Sequence, residues 1–126
     1  MRNESLEWME QSDADIKTAT DCITSDNFYA SAFFSHQGCE KALKSLYIIK
    51  KKNLPPKTHS LFDLGRELSV PEDIMNFLRQ LAPDYLISRY PDALGGVPAK
   101  IYNLEMARNK LSLSKKVIAW AKSRIK

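Results

Sequence analysis

The chain is 126 residues long, 44% hydrophobic, with a formal net charge of +4 and a pI near 9.1, which suits one domain with one core that needs neither disulfide nor metal. No run approaches the roughly 18 apolar residues of a membrane span. The start, MRNESLEWMEQSDADIK, is acidic and amphipathic where a secretory leader is basic and then apolar, so a cytoplasmic protein is expected. The modest positive charge permits an anionic partner without demanding one.

From Leu6 to Ile23, the positions Leu6, Met9, Ile16, Ala19, Cys22 and Ile23 recur near helical spacing, with acids toward the start as the helix dipole prefers. TSDN (24–27) is a turn in which Asp26 or Asn27 is the expected N-cap of a second helix. That helix spans about Phe28 to Lys51, with Phe28, Ala32, Cys39, Ala42, Leu43, Leu46 and Ile49 on one stripe and Tyr29, Phe33 and Tyr47 beside it. So wide an apolar band predicts a central helix with several neighbours. Pro55 and Pro56 make NLPPKTHS (53–60) a loop, after which Thr58 or Ser60 can cap a short third helix, LFDLGREL. A fourth helix is expected over SVPEDIMNFLRQLAPDYLISRY, with Ser69 as cap and Pro71 in the first turn, kinked or split at Pro83. SRYPDALGGVP (88–98) then breaks the chain before a last long helix from Leu104 to Ile125. No strand pattern is visible, and the sum is an all-α, up-and-down bundle of about five helices. Such a fold names no function by itself.

Cys22 and Cys39 form no Cys-x-x-Cys pair and read as buried small hydrophobes. His36 and His59, the two histidines, with scattered carboxylates do not amount to a metal site, and no cofactor is expected. Gly95-Gly96 is not a phosphate loop, because it lacks both the preceding strand and the spacing.

The densest group of functional side chains is FFSHQGCEKALK (33–44). His36 with Glu40, Gln37 with Lys41, and Glu40 with Lys44 are each four residues apart and can meet on one helix surface. The plain reading is a solvated face laced by ion pairs, with His36 half buried at its edge. Gly38 argues for a close neighbour, another helix or a second subunit, because a mid-helix glycine costs about 1 kcal/mol relative to alanine. His59 reads as structural, closing the first turn of the third helix or bonding a loop carbonyl.

The order Y-A-x-A-F-F-x-H-Q-x-x-E-K-A-L-K from Tyr29 to Lys44, T-H-S-L-x-x-L from Thr58 to Leu64, R-Y-P-D from Arg89 to Asp92, and a final helix containing VIAW resembles the HEPN domain family over almost the whole chain. The resemblance implies a bundle of about five helices, usually a homodimer, often encoded beside a small nucleotidyltransferase in toxin–antitoxin or similar modules. Some members are metal-independent ribonucleases whose site resembles Arg, four to six residues, then His, repeated across the dimer cleft. No histidine follows position 59 in this sequence, so that motif is absent. Arg89 stands where its phosphate-gripping half would be, followed by Tyr90 and Asp92. An arginine can hold a phosphate bidentately and a tyrosine can stack on a base, so a nucleotide site at Arg89, Tyr90 and Asp92 is expected, with His36, Gln37, Glu40, Lys41 and Lys44 as further ligand candidates. Three other readings stand beside it. In one, Arg89 pairs with Asp84, Asp92 or Glu105 while Tyr90 and Tyr102 fill gaps at the bundle's end. In another, His36 and Arg89 form a displaced ribonuclease set acting on RNA. In the third, the chain is a ligand-free dimeric scaffold whose wide apolar faces on the second and last helices are dimer surface.

Overall fold

The computed structural model describes residues 2–125. Those residues form eight helical segments and no strand: α1 (Arg2–Thr24), α2 (Phe28–Lys51), α3 (Leu61–Glu67), α4 (Glu72–Leu81), α5 (Asp84–Ile87), α6 (Pro91–Leu94), α7 (Pro98–Ile101) and α8 (Leu104–Ile125). No helix among them is long and apolar enough to cross a membrane.

The central helix is α2, as its wide apolar band predicts, with α1 along one side and α8 along the other. Cys39, Ala42, Leu43 and Leu46 of α2 meet Leu61 and Leu64 of α3, Leu78 and Leu81 of α4, and Val117, Ile118 and Ala121 of α8 in one buried cluster. The α1–α2 contact is closer and more polar than the hydrophobic stripe suggests. Ser5 Oγ donates to the Ser45 carbonyl at 3.0 Å and Ser45 Oγ donates back to the Ser5 carbonyl at 2.7 Å. Ser12 Oγ donates to the Gly38 carbonyl at 2.6 Å, and on the other side Ser114 Oγ donates to that of Ser35 at 2.6 Å. Hydroxyls that bond backbone carbonyls are satisfied in the dry interior, so serine serves there as a small packing residue. Gly38 is the place where α1 comes nearest. A Cβ there would stand 2.8 Å from Ile16 Cδ1 and 3.3 Å from the Ser12 carbonyl oxygen, so the close neighbour is a helix of the same chain.

The helix ends differ in part from the sequence reading. Ser60 caps α3 by accepting from the Asp63 N–H at 3.1 Å, and Thr58 Oγ1 accepts from the Ser60 N–H. Asn27 occupies the N-cap of α2 without a side-chain cap bond, its amide turning to Ser25 Oγ instead. Ser69 does not cap α4. Its φ of 51° places it in the left-handed region, and Pro71 takes the N-cap position.

Pro83 splits the expected fourth helix into α4 and α5 rather than kinking it. The following segment, expected as plain loop, contains two single turns, α6 and α7. Each begins with a proline at its first position, where the missing N–H has no intrahelical partner to lose. Gly95 ends α6 at φ 72°, the left-handed conformation that a residue with a Cβ adopts poorly.

Candidate functional site

Phe33, His36, Gln37, Glu40, Lys41 and Lys44 follow one another at intervals of three, one, three, one and three along α2, so they share one face. That face is not solvated. His36 is completely buried, and the side chains of Glu40 and Lys44 are only 3% and 5% exposed. It is covered by α1, by the loop 52–60 and by the segment that starts at α5.

Ion pairs divide the face into two. Toward α1, Lys41 Nζ pairs with Asp15 at 2.5 Å and reaches the Gln37 amide oxygen at 3.5 Å, and Gln37 Nε2 donates to His36 Nδ1 at 3.3 Å. Toward the loop, Glu40 accepts from Lys44 at 3.1 Å and from His59 Nδ1 at 3.1 and 3.3 Å. An ionised carboxylate only accepts, so Nδ1 of His59 is the protonated nitrogen of this bond. His59 therefore neither closes the first turn of α3 nor bonds a loop carbonyl. It leans on a buried carboxylate while 54% of its own side chain stays exposed.

Tyr85 of α5 joins the parts. Its ring stacks on His59 with centroids 4.5 Å apart and planes 16° from parallel, and lies 5.4 Å from the His36 ring and 6.5 Å from Phe33. Arg89, four residues on, donates from Nε to the Tyr85 carbonyl at 2.8 Å, which folds its side chain back over the ring. The guanidinium carbon is then 4.3 Å from the Tyr85 centroid and 4.9 Å from those of Phe33 and Tyr90. Contacts of this kind are each worth about 0.5–2 kcal/mol, depending on how dry they are.

No ion pair joins Arg89 to a carboxylate among the described residues. Asp84, one of the partners expected for it, is instead buried, accepting from the Tyr102 hydroxyl at 2.5 Å and pairing with Lys110 at 3.0 Å. Burial pushes the Asp84 carboxyl up, against the opposing pull of Tyr102 and Lys110, and burial with Asp84 beside it pushes the Tyr102 hydroxyl up as well. Tyr102 does fill the bundle's end, whereas Tyr90 is 46% exposed beside the guanidinium. Asp92 is exposed on α6 and makes no bond to Arg89 among the described residues. The structure thus gathers His36, Glu40, Arg89 and Tyr90 with Phe33, His59 and Tyr85, ties Gln37, Lys41 and Lys44 into the supporting bonds, and leaves Asp92 apart.

Burial, with smaller contributions from His59, Arg89 and Lys41, lowers His36 to about 3. The ring is therefore neutral at physiological pH. Because Gln37 donates to its Nδ1, its proton sits on Nε2, which is buried without a hydrogen-bond partner among the described residues. No group of three or more His, Cys, Asp or Glu among the described residues is placed to hold a metal ion.

An unpaired arginine on an aromatic bed, in the segment where the family motif would lie, makes the wider comparison informative. The HEPN domain model matches residues 5–124. The chain belongs to the HEPN family. Among solved structures, TT1696 from Thermus thermophilus matches with a TM-score of 0.88 at 28% identity, covering 97% of this chain and 98% of that one. ST0689, an archaeal HEPN homologue, matches with a TM-score of 0.83 at 26% identity over 98% of both chains. No curated protein sequence matches. Within the HEPN fold, the site of this chain is built from α2, the loop before α3, and α5 with the residues just after it, so three separate stretches of sequence converge on Tyr85.

Proposed function

We propose that this HEPN protein is a nucleotide-binding module whose phosphate anchor is Arg89 and whose stacking surface is Tyr90, working as a homodimer with a nucleotidyltransferase-like partner in a toxin–antitoxin type of system. One observation carries the ligand: the Arg89 guanidinium lies on Phe33, Tyr85 and Tyr90 with no carboxylate to neutralise it among the described residues. A cation pre-positioned on aromatic rings, beside a half-exposed tyrosine, matches a phosphate joined to a flat base. The aromatic bed also fixes the arginine before any ligand arrives, which lowers the ordering cost of binding.

Titration calorimetry of the purified protein with adenosine monophosphate and with a short single-stranded RNA tests the ligand, with Arg89→Ala as control. Saturable binding that disappears in Arg89→Ala, with the RNA intact on a gel, is expected. Equal binding by both proteins would refute Arg89 as anchor. The partner is tested by whether a neighbouring reading frame encodes a small nucleotidyltransferase that co-purifies with this chain.

A second reading, a ribonuclease with a displaced catalytic set, draws support from the two imidazoles and the guanidinium that share the Tyr85 ring. His36 is ill suited to take a proton there, being buried and held neutral. His59, oriented by Glu40 and exposed, is the better base. RNA cleaved in the calorimetry sample by the wild type and not by His59→Gln would favour this reading.

A further inference from the structure

Lys44 carries an ammonium held almost entirely out of water, its side chain only 5% exposed. An ammonium has three N–H donors and no acceptor. Among the described residues it meets one carboxylate, Glu40 at 3.1 Å, and the ring of Trp8, whose centroid is 5.3 Å away. Donors to spare, without a protein acceptor, are a costly state for a buried charge.

The same side chain lines a cavity of about 220 Å³ between α1 and the loop 52–60, together with Trp8, Leu54, Pro55, Pro56 and Lys57. An indole, a leucine and two prolines make most of that wall apolar, and Leu54 is left 59% exposed. No acid lines the cavity. Glu40 already offsets Lys44, so the charge left over is that of Lys57, which has no ion-pair partner among the described residues. Water alone would satisfy the spare donors and leave the indole and proline faces wet, whereas an anion that carries a ring satisfies both. Size narrows the choice further. A cavity of about 150 Å³ admits benzene, and sites for drug-sized molecules start near 300 Å³. The cavity is therefore too small for a nucleotide, and it shares no wall residue with the Phe33, Tyr85 and Tyr90 bed of Arg89.

We infer that this cavity is a second binding site, separate from that of Arg89, for a small one-ring aromatic monocarboxylate. The ring packs among Trp8, Leu54 and the prolines, and the carboxylate accepts from Lys44 and Lys57. A single negative charge matches the one uncompensated cation. A phosphate monoester, with nearly two charges and no apolar body, matches neither the charge nor the walls. The inference stands independently of the nucleotide-binding reading.

Nitrogen–proton correlation spectra of the labelled protein, titrated with benzoate, test it. The chain has two tryptophans, so two indole N–H signals, assigned with Trp120→Phe, report on the site and on a control. Saturable movement of the Trp8 signal, with that of Trp120 unmoved, is expected at a Kd on the order of 0.1–1 mM for so small a ligand. Benzyl alcohol, which has the ring without the charge, and acetate, which has the charge without the ring, should each bind at least about tenfold more weakly. Lys57→Ala should weaken benzoate about threefold, the worth of one exposed charge contact. Leu54→Glu, which sets an acid on the apolar wall, should weaken it about tenfold or more. Both positions are exposed, so each variant should keep the wild-type circular dichroism. Arg89→Ala and added adenosine monophosphate should leave the benzoate titration unchanged, whatever they show about nucleotide binding. Benzyl alcohol binding as well as benzoate would overturn the acid, and acetate doing so would overturn the ring. Benzoate binding unaffected by Leu54→Glu, displaced by adenosine monophosphate, or absent at 10 mM (roughly tenfold above the weakest Kd expected) would overturn the site.

Discussion

Lowering the pH from 7.5 to 5 should weaken this bundle measurably through one residue, His36. Its ring is completely buried in the folded chain and takes up a proton only near pH 3, against an ordinary value of 6.5 once the chain unfolds. Between those values the unfolded state carries the extra proton, so stability present above pH 6.5 is lost progressively as the pH falls toward 3. At 1.36 kcal/mol per unit, the loss is about 2 kcal/mol at pH 5 and about 4 kcal/mol at pH 3. Against a total of about 5–15 kcal/mol for a domain, that is a large share. Near the melting temperature, 2 kcal/mol corresponds to roughly 7 °C for a chain of this size. Asp84 works in the opposite sense: its raised carboxyl keeps a proton in the folded state that the unfolded state releases, so acid favours folding there. Urea unfolding at pH 7.5, 6.5, 5.5 and 5 on wild type and His36→Asn removes that complication, because Asp84 is common to both. His36→Asn loses stability at every pH from the space it leaves, but the pH slope should shrink by the His36 contribution. Parallel slopes in the two proteins would refute the reasoning.

Three further changes probe the frame around the site. Gly38→Ala gains about 1 kcal/mol of helix propensity but drives a methyl into Ile16 and the Ser12 carbonyl; overpacking of about 1–3 kcal/mol should win, giving a net loss of about 1 kcal/mol by chemical denaturation. Tyr102→Phe removes the hydroxyl that bonds buried Asp84 and should destabilise by about 2 kcal/mol, with faster hydrogen exchange over residues 84–102. Ser60→Ala removes the cap of α3 and should cost about 1 kcal/mol, read as a lowered melting temperature.

The long helices were legible because their apolar residues repeat at helical spacing, and α2 was placed at the centre for the breadth of its band. What spacing could not supply was which polar residues are buried. Glu40 and Lys44 look like a solvated i, i+4 pair until Trp8 of α1 and the loop 52–60 close over them. Ser5, Ser12, Ser45 and Ser114 look like surface residues, yet each bonds a carbonyl across a helix contact, a partner 40, 26, 40 and 79 residues away. His59 and Tyr85 were missed as site residues for the same reason. The acceptor for His59 lies 19 residues back, and stacking leaves no trace in sequence. The one local hint was Tyr85 standing four residues before Arg89, the interval at which an aromatic ring and a cation meet on a helix.

The bond between Asp84 and Tyr102 closes residues 84–102 into a handle, pinned to α8 through Lys110. Arg89 and Tyr90 ride on that handle, while residues 91–97 at its tip are largely exposed. Residues at the tip can therefore be lengthened or changed in charge without loosening the bundle. On the nucleotide-binding reading proposed above, exchanging residues 91–97 for the corresponding stretch of another HEPN protein should alter ligand binding at Arg89 and Tyr90 with little change in melting temperature.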